Sequence, residues 1–210
     1  MAPSITKSLI VATAVASSAV LFDATDAHQY VMLPTPTFNV KTRDEQLNPL
    51  AFLENQGYKT EEDFNGWLTK NGYKSLRAFM DDKTAYKTKS ANFECGWTTL
   101  PGRRQPIPTT RQIRSTGYTH DGPCEVWLDN TRVMYGKNCH ADFPGKTHSL
   151  DYSSCKGSCT LRWYWMGLRF LKKKWSWQVY KNCVSLGSGR RLEGEESELS
   201  LALGNSTTEA

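Results

Sequence analysis

No apolar run in this 210-residue chain is long enough to cross a bilayer, for which about 18 or more residues are expected. The longest apolar stretch, Leu9 to Phe22, falls short of that, and no second one follows it. This argues against a membrane anchor. Histidine is also scarce, with His28, His120, His140 and His148 the whole supply. A site built from imidazoles must draw on these four. The six cysteines contain one close pair, Cys155 and Cys159, and lack a second, which leaves a four-ligand zinc site unfinished. The stretch from Leu186 to Ala210 has no aromatic residue and no apolar run, so nothing in it can build a core.

What is present begins with a leader. Lys7 supplies a charged start, Leu9 to Phe22 an apolar middle, and Thr25 and Ala27 place small residues three and one positions before His28. That pattern predicts a secretory signal peptide over 1–27, cut after Ala27, and an extracellular protein. His28 then becomes the first residue. Its free α-amine and its imidazole can chelate one metal ion together.

The formal charge is +5, from 26 basic and 21 acidic residues. The leader is net acidic (Lys7 against Asp23 and Asp26), and so is the Glu-rich segment after Leu186, so the body between them is more basic than the whole. A basic extracellular body suits a polyanion, and an acidic polysaccharide fits export better than nucleic acid does. No nucleic-acid or membrane partner is expected, and a monomer is. Residues 28–185 suffice for one domain with a real core. Cys95, Cys124, Cys139, Cys155, Cys159 and Cys183 form an even set, so three disulfides are expected in an oxidising compartment. Cys155 and Cys159 can close a small loop around Gly157; spacing leaves the other pairings open.

His28 to Leu33 reads as a first strand ended by Pro34 and Pro36. A helical stretch with an internal echo follows. Phe52-Leu53, Gly57-Tyr58-Lys59-Thr60 and Phe64 recur fifteen positions later as Trp67-Leu68, Gly72-Tyr73-Lys74-Ser75 and Phe79. This predicts two or three short helices, with Thr60 and Ser75 as N-caps and Thr60 to Asp63 as a variant capping box. From Cys95 onward strands and turns dominate. Glu125–Leu128 and Thr131–Tyr135 flank Asp129-Asn130 as a hairpin. Leu161–Trp165 and Trp175–Tyr180 are two more strands, with Lys172 to Lys174 turning between them. The predicted fold is mainly β, an immunoglobulin- or fibronectin-like antiparallel β-sandwich with a short helical insertion, followed by a disordered tail over 186–210. Asn205-Ser206-Thr207 in that tail is a glycosylation sequon.

If His28 binds a metal through its amine and ring, one more imidazole completes three nitrogens in a T-shaped plane, a set that favours copper. His120 is the leading third ligand, because Gly117, Gly122 and Pro123 form a turn around it that can project a side chain from a rigid edge. His140 and His148 are the alternatives. On a strand Gln178 and Tyr180 face one side, whereas Trp175, Trp177 and Val179 face the other. A phenol beside an amide could complete a copper site, although such a pair is more often structural.

A chain starting His-Gln-Tyr, a Thr-His-Asp-Gly-Pro turn at 119–123 and Gln-Val-Tyr-Lys-Asn-Cys at 178–183 together resemble the lytic polysaccharide monooxygenases. The helical insertion, the basic body and Gly117 to Asp129 are most similar to the oomycete family that oxidises pectin. The resemblance spans roughly His28 to Leu186. It implies one copper held by His28 and His120 with Tyr180 axial, and Gln178 close by, as the catalytic set. It also implies an external reductant, with dioxygen or hydrogen peroxide as co-substrate, and oxidative cleavage of glycosidic bonds, of pectin or homogalacturonan first and of cellulose or chitin as alternatives. The best-known fungal families carry a histidine nine residues before the glutamine, where this chain has Arg169, a side chain that cannot shuttle protons as imidazole does. Arg103, Arg104, Arg111, Arg114, Lys172, Lys173 and Lys174 are candidates for holding uronate carboxylates. Two other readings compete: a non-catalytic copper binder using the same ligands, and a carbohydrate-binding sandwich in which His28 is incidental.

Overall fold

A computed structural model describes residues 29–54 and 56–188. The leader, His28, Asn205 and the tail beyond residue 188 lie outside the described residues. Within them the chain is mainly β, in two antiparallel sheets. The smaller sheet comprises β1 (Val31–Leu33), β3 (Gln112–Ser115) and β6 (Thr147–Ser149), in the order β1-β3-β6. The larger comprises β2 (Ala51–Glu54), β4 (Cys124–Leu128), β5 (Thr131–Gly136), β7 (Ser158–Leu171) and β8 (Lys174–Gly187), in the order β2-β8-β7-β4-β5.

Local chemistry sets most of these boundaries. β1 ends at Leu33 because Pro34 has no N–H to give the ladder. The predicted hairpin is β4–β5, and Asp129 in its turn has φ +48°. Lys172 and Lys173 both take left-handed φ, 49° and 62°, in the two-residue turn that joins β7 to β8. Lys174 already belongs to β8, and β8 runs to Gly187, two residues past the expected end of the body.

Side-chain alternation in the larger sheet feeds two cores. One lies between the sheets and gathers Val31, Ile113, Val126, Leu161, Trp163, Trp165, Tyr180 and Val184. The other lies on the opposite face, under the helical insertion, and gathers Leu53, Tyr58, Phe64, Leu68, Leu76, Phe79, Met166, Trp177 and Val179. Tyr180 and Val179 therefore serve different cores, as period-two alternation predicts. Each such fully buried large side chain contributes roughly 1.5–3 kcal/mol.

The insertion consists of α1 (Arg43–Leu47), α2 (Glu61–Lys70) and α3 (Leu76–Met80). Thr60 caps α2, accepting from the Asp63 amide at 3.0 Å, and Ser75 caps α3, accepting from the Ala78 amide at 2.9 Å. The Asp63 carboxylate reaches back to the Lys59 amide, one residue beyond the capping-box position. The internal echo is only half helical. Trp67-Leu68 lies in α2, but Phe52-Leu53 lies in β2, where Ala51–Glu54 alternates buried and exposed and pairs with Ser176–Val179 of β8. A sheet edge in need of a partner overrides the local resemblance. Gly57 and Gly72 do keep equivalent left-handed backbones, at φ 85° and 78°.

Two buried charges fasten the insertion to the sheet. The Glu125 carboxylate, wholly buried, accepts from the Leu76 and Arg77 amides at the start of α3, from Trp127 Nε1 and from Arg132. Lys181 Nζ, also buried, donates to Asp81 Oδ1 at 3.0 Å and to the Phe93 carbonyl at 2.8 Å. All six cysteines pair, as Cys95–Cys183, Cys124–Cys139 and Cys155–Cys159. The last closes the small loop around Gly157 and removes the zinc alternative. A fourth short helix, α4 (Cys139–Asp142), is stapled to the start of β4 by the second bridge.

Candidate functional site

His120 sits in the loop between β3 and β4. That loop is fixed by backbone bonds from β7, the Leu168 amide donating to the Asp121 carbonyl at 2.7 Å and the Met166 amide to the Pro123 carbonyl at 3.0 Å. Gly122, at φ +145°, lies so close to the strand that an added Cβ would overlap the Met166 carbonyl oxygen. Only glycine fits, and this rigidity holds the half-buried His120 ring in place.

Trp165 is the common neighbour of His120 and Tyr180. Its ring stacks on Tyr180 at 4.8 Å between centroids and on His120 at 6.3 Å, with interplanar angles of 21° and 13°. Tyr180 lies directly across the ladder from Trp165. Its hydroxyl donates to Gln178 Oε1 at 2.9 Å. Burial pushes the phenol's pKa up, and the nearby Arg169 charge opposes that only in part, so the group stays protonated at physiological pH. The fold thus brings three of the four expected catalytic residues, His120, Gln178 and Tyr180, to one face around Trp165. The fourth, His28, lies outside the described residues.

The first described residue, Gln29, is buried and fixed at both ends of its amide. Its Nε2 donates to Thr119 Oγ1 at 3.1 Å, and its Oε1 accepts from Thr116 Oγ1 at 2.9 Å. The Tyr30 amide donates to Thr116 Oγ1, and the Val31 amide to Asn182 Oδ1 at 2.7 Å. The residue after His28 is thereby locked against the residue before His120. Sequence reasoning gave no site role to Gln29, Thr116, Thr119 or Trp165, although Gln29 and Thr119 lie inside the quoted motifs. The only available signal was their adjacency to His28, to His120 or to the Tyr180 strand.

The other histidines have different surroundings. His140, exposed on α4, places Nδ1 3.1 Å from Asp121 Oδ1. The Asn138 amide holds the Asp121 carboxyl below its usual pKa, against partial burial and with help from His140. His148 lies on β6 and stacks on Tyr118 at 6.1 Å; burial lowers its pKa. Neither ring stacks on Trp165.

The seven basic candidates do not form one patch. Arg103 and Arg104 are exposed beside Gln105, which bridges to Leu186 at the far end of the β7–β8 hairpin. Lys172 and Lys173 occupy its turn, roughly 40 Å away at the usual rise of a strand. Arg111 pairs with Asp151 at 3.3 Å, and Arg114 lines a groove on the small sheet with Leu33, Pro34 and Pro108. Lys174 pairs with Glu54 at 3.5 Å and shares a strand face with Gln178 and Tyr180. Arg169, opposite Ser176, faces the same side.

Among the described residues no group of three or more His, Cys, Asp or Glu is placed to hold a metal ion, and no helix is long and apolar enough to cross a membrane. Comparison with known protein families and with curated proteins finds no match for this chain.

Proposed function

We propose that the mature protein is a secreted, copper-dependent lytic polysaccharide monooxygenase of immunoglobulin-like sandwich architecture, acting on pectin or homogalacturonan. The observation that carries this reading is the Gln29–Thr119 hydrogen bond, because it ties together the covalent neighbours of His28 and His120 beside the Trp165 platform that also holds Tyr180. Consecutive Cα atoms are about 3.8 Å apart, so this tie limits how far the two histidines can separate.

The donor set suits copper. His28 would offer an amine and a ring nitrogen, His120 a second ring nitrogen, and Tyr180 a neutral phenol. Bound copper would supply one-electron chemistry, fed by an outside reductant and by dioxygen or hydrogen peroxide. The chain's own part is positional. Gly122 and the β7 backbone hold His120, Gln178 fixes the Tyr180 hydroxyl, and Trp165 stacks on both rings. Three disulfides are compatible with export.

Intact-mass and N-terminal analysis of the secreted protein, followed by copper titration and peroxide release with ascorbate, tests this reading. A chain beginning at His28 should bind one copper tightly, and His120→Ala or one extra residue before His28 should abolish that binding. A different N-terminus, or unchanged binding in His120→Ala, refutes it. Tight binding without peroxide release or glycan cleavage assigns the protein to copper capture.

A further inference from the structure

Gln178 is flanked on its own sheet face by two side chains that no buried structure requires. On the edge strand, Phe52 is the ladder partner of Gln178 and is 54 % exposed, whereas its neighbours Ala51 and Leu53 are buried on the helical side. On the inner strand, Arg169 is the partner of Ser176, one pleat along from the Gly167–Gln178 pair. The β7–β8 register runs without a shift from Ser158 to Lys174, so Arg169, Ser176, Gln178 and Tyr180 share a face throughout.

Arg169 is half-buried, and among the described residues no carboxylate pairs with it. Glu54, on the far side of Ser176, is engaged by Lys174 at 3.5 Å. Ser176 Oγ between them is buried and makes no hydrogen bond among the described residues. A guanidinium so placed is a fork without its carboxylate, and bidentate carboxylate recognition is what that fork does best. An exposed aromatic ring offers a flat apolar face of the kind sugar C–H groups pack against. The two positions lie two strands apart, about 10 Å across the sheet, a span that consecutive units of one glycan chain can bridge.

We propose that Arg169 and Phe52 set the substrate class at this site, Arg169 binding the carboxylate of a uronate unit while Phe52 stacks on a neighbouring sugar ring. This rests on the monooxygenase reading above and adds to it a residue-level reason for preferring an acidic over a neutral glycan. Arg169 in this role is a binding residue and takes no part in proton transfer.

Calorimetric titration of the mature copper(II) protein without reductant, using oligogalacturonate and its methyl ester, tests the proposal on binding alone. The parent should favour the acid form. Arg169→Gln should weaken oligogalacturonate binding about tenfold and leave the ester unchanged, with Arg169→Lys intermediate. Phe52→Ala should weaken both ligands by a similar factor. Unchanged copper affinity and thermal midpoint in Arg169→Gln show that the site is intact. If the parent prefers the acid form but Arg169→Gln binds it as tightly, the proposal falls and the pectin reading stands. If the parent binds neither ligand, or both alike, the uronate reading fails and the proposal with it.

Discussion

A 3.1 Å hydrogen bond joins Gln29 to Thr119, residues 90 positions apart, and each is the covalent neighbour of a histidine. The Gln29 amide is wedged between Thr116 and Thr119, so the residue next to His28 and the His120 loop are positioned by one polar cluster. Site geometry therefore depends on hydroxyls that carry no chemistry themselves.

Thr119→Val keeps the shape of the side chain and removes the acceptor for the buried Gln29 amide. An unsatisfied buried donor costs about 1–3 kcal/mol. Copper affinity should fall by a comparable factor, measured by competition with a chelator of known strength. Undiminished affinity would show that the cluster does not position the ligands.

Tyr180→Phe deletes the hydroxyl that satisfies Gln178 Oε1. A loss near 1 kcal/mol is expected, lowering the thermal midpoint by about 3 °C. Three nitrogen ligands should keep copper bound, while the paramagnetic resonance spectrum of the copper(II) form should change. An identical spectrum would remove Tyr180 from the ligand set.

The disulfides should contribute unequally. Cys95–Cys183 closes 88 residues and ties the end of the insertion to β8, whereas Cys155–Cys159 closes 4. On chain-entropy grounds, replacing the first pair by serine should cost roughly 4–5 kcal/mol and the second about 2 kcal/mol. Denaturant unfolding of the two double variants checks the order, and a reversed order would contradict it.

Lys181 makes stability depend on pH in an unusual direction. Burial pulls its pKa from 10.5 down to about 8, against the charge and hydrogen bond of Asp81. Between those values the unfolded chain holds a proton that the folded chain has released, so stability rises with pH through that window. Relative to Lys181→Met, the parent should gain stability from pH 8 to 10. Buried tyrosines such as Tyr86 and Tyr164, whose phenols are pushed up, work the other way only above pH 10. A flat difference between the two proteins would refute the assignment.

What was legible in the sequence was what local chemistry decides. The Asp129-Asn130 and Lys172-Lys173 turns, the Thr60 and Ser75 caps and the Cys155–Cys159 loop each need only a few neighbouring residues. The opposed faces of Val179 and Tyr180 follow from strand alternation alone. Phe52-Leu53 was misread because its fate depends on an open edge of β8, more than 120 residues away, while its local pattern matches a helix. Nothing near Glu125 or Lys181 in sequence shows that α3 and Phe93 cover them. The Gln29–Thr119 tie was hidden for the same reason. The motif around His120 was legible, but Trp165 as the plate joining it to Tyr180 was not.

The two-sided burial of β8 makes the strand a reading frame. Even-numbered positions here present Gln178 and Tyr180 to the site, and odd-numbered ones press Trp177 and Val179 into the helical layer. A point change on either side alters one side chain and leaves the alternation of the others in place. Gaining or losing a single residue within 175–180 would swap the two sets, sending an indole toward the ligand side and an amide into oil. Divergent descendants of this chain should keep the residue count of that segment even where a side chain in it changes.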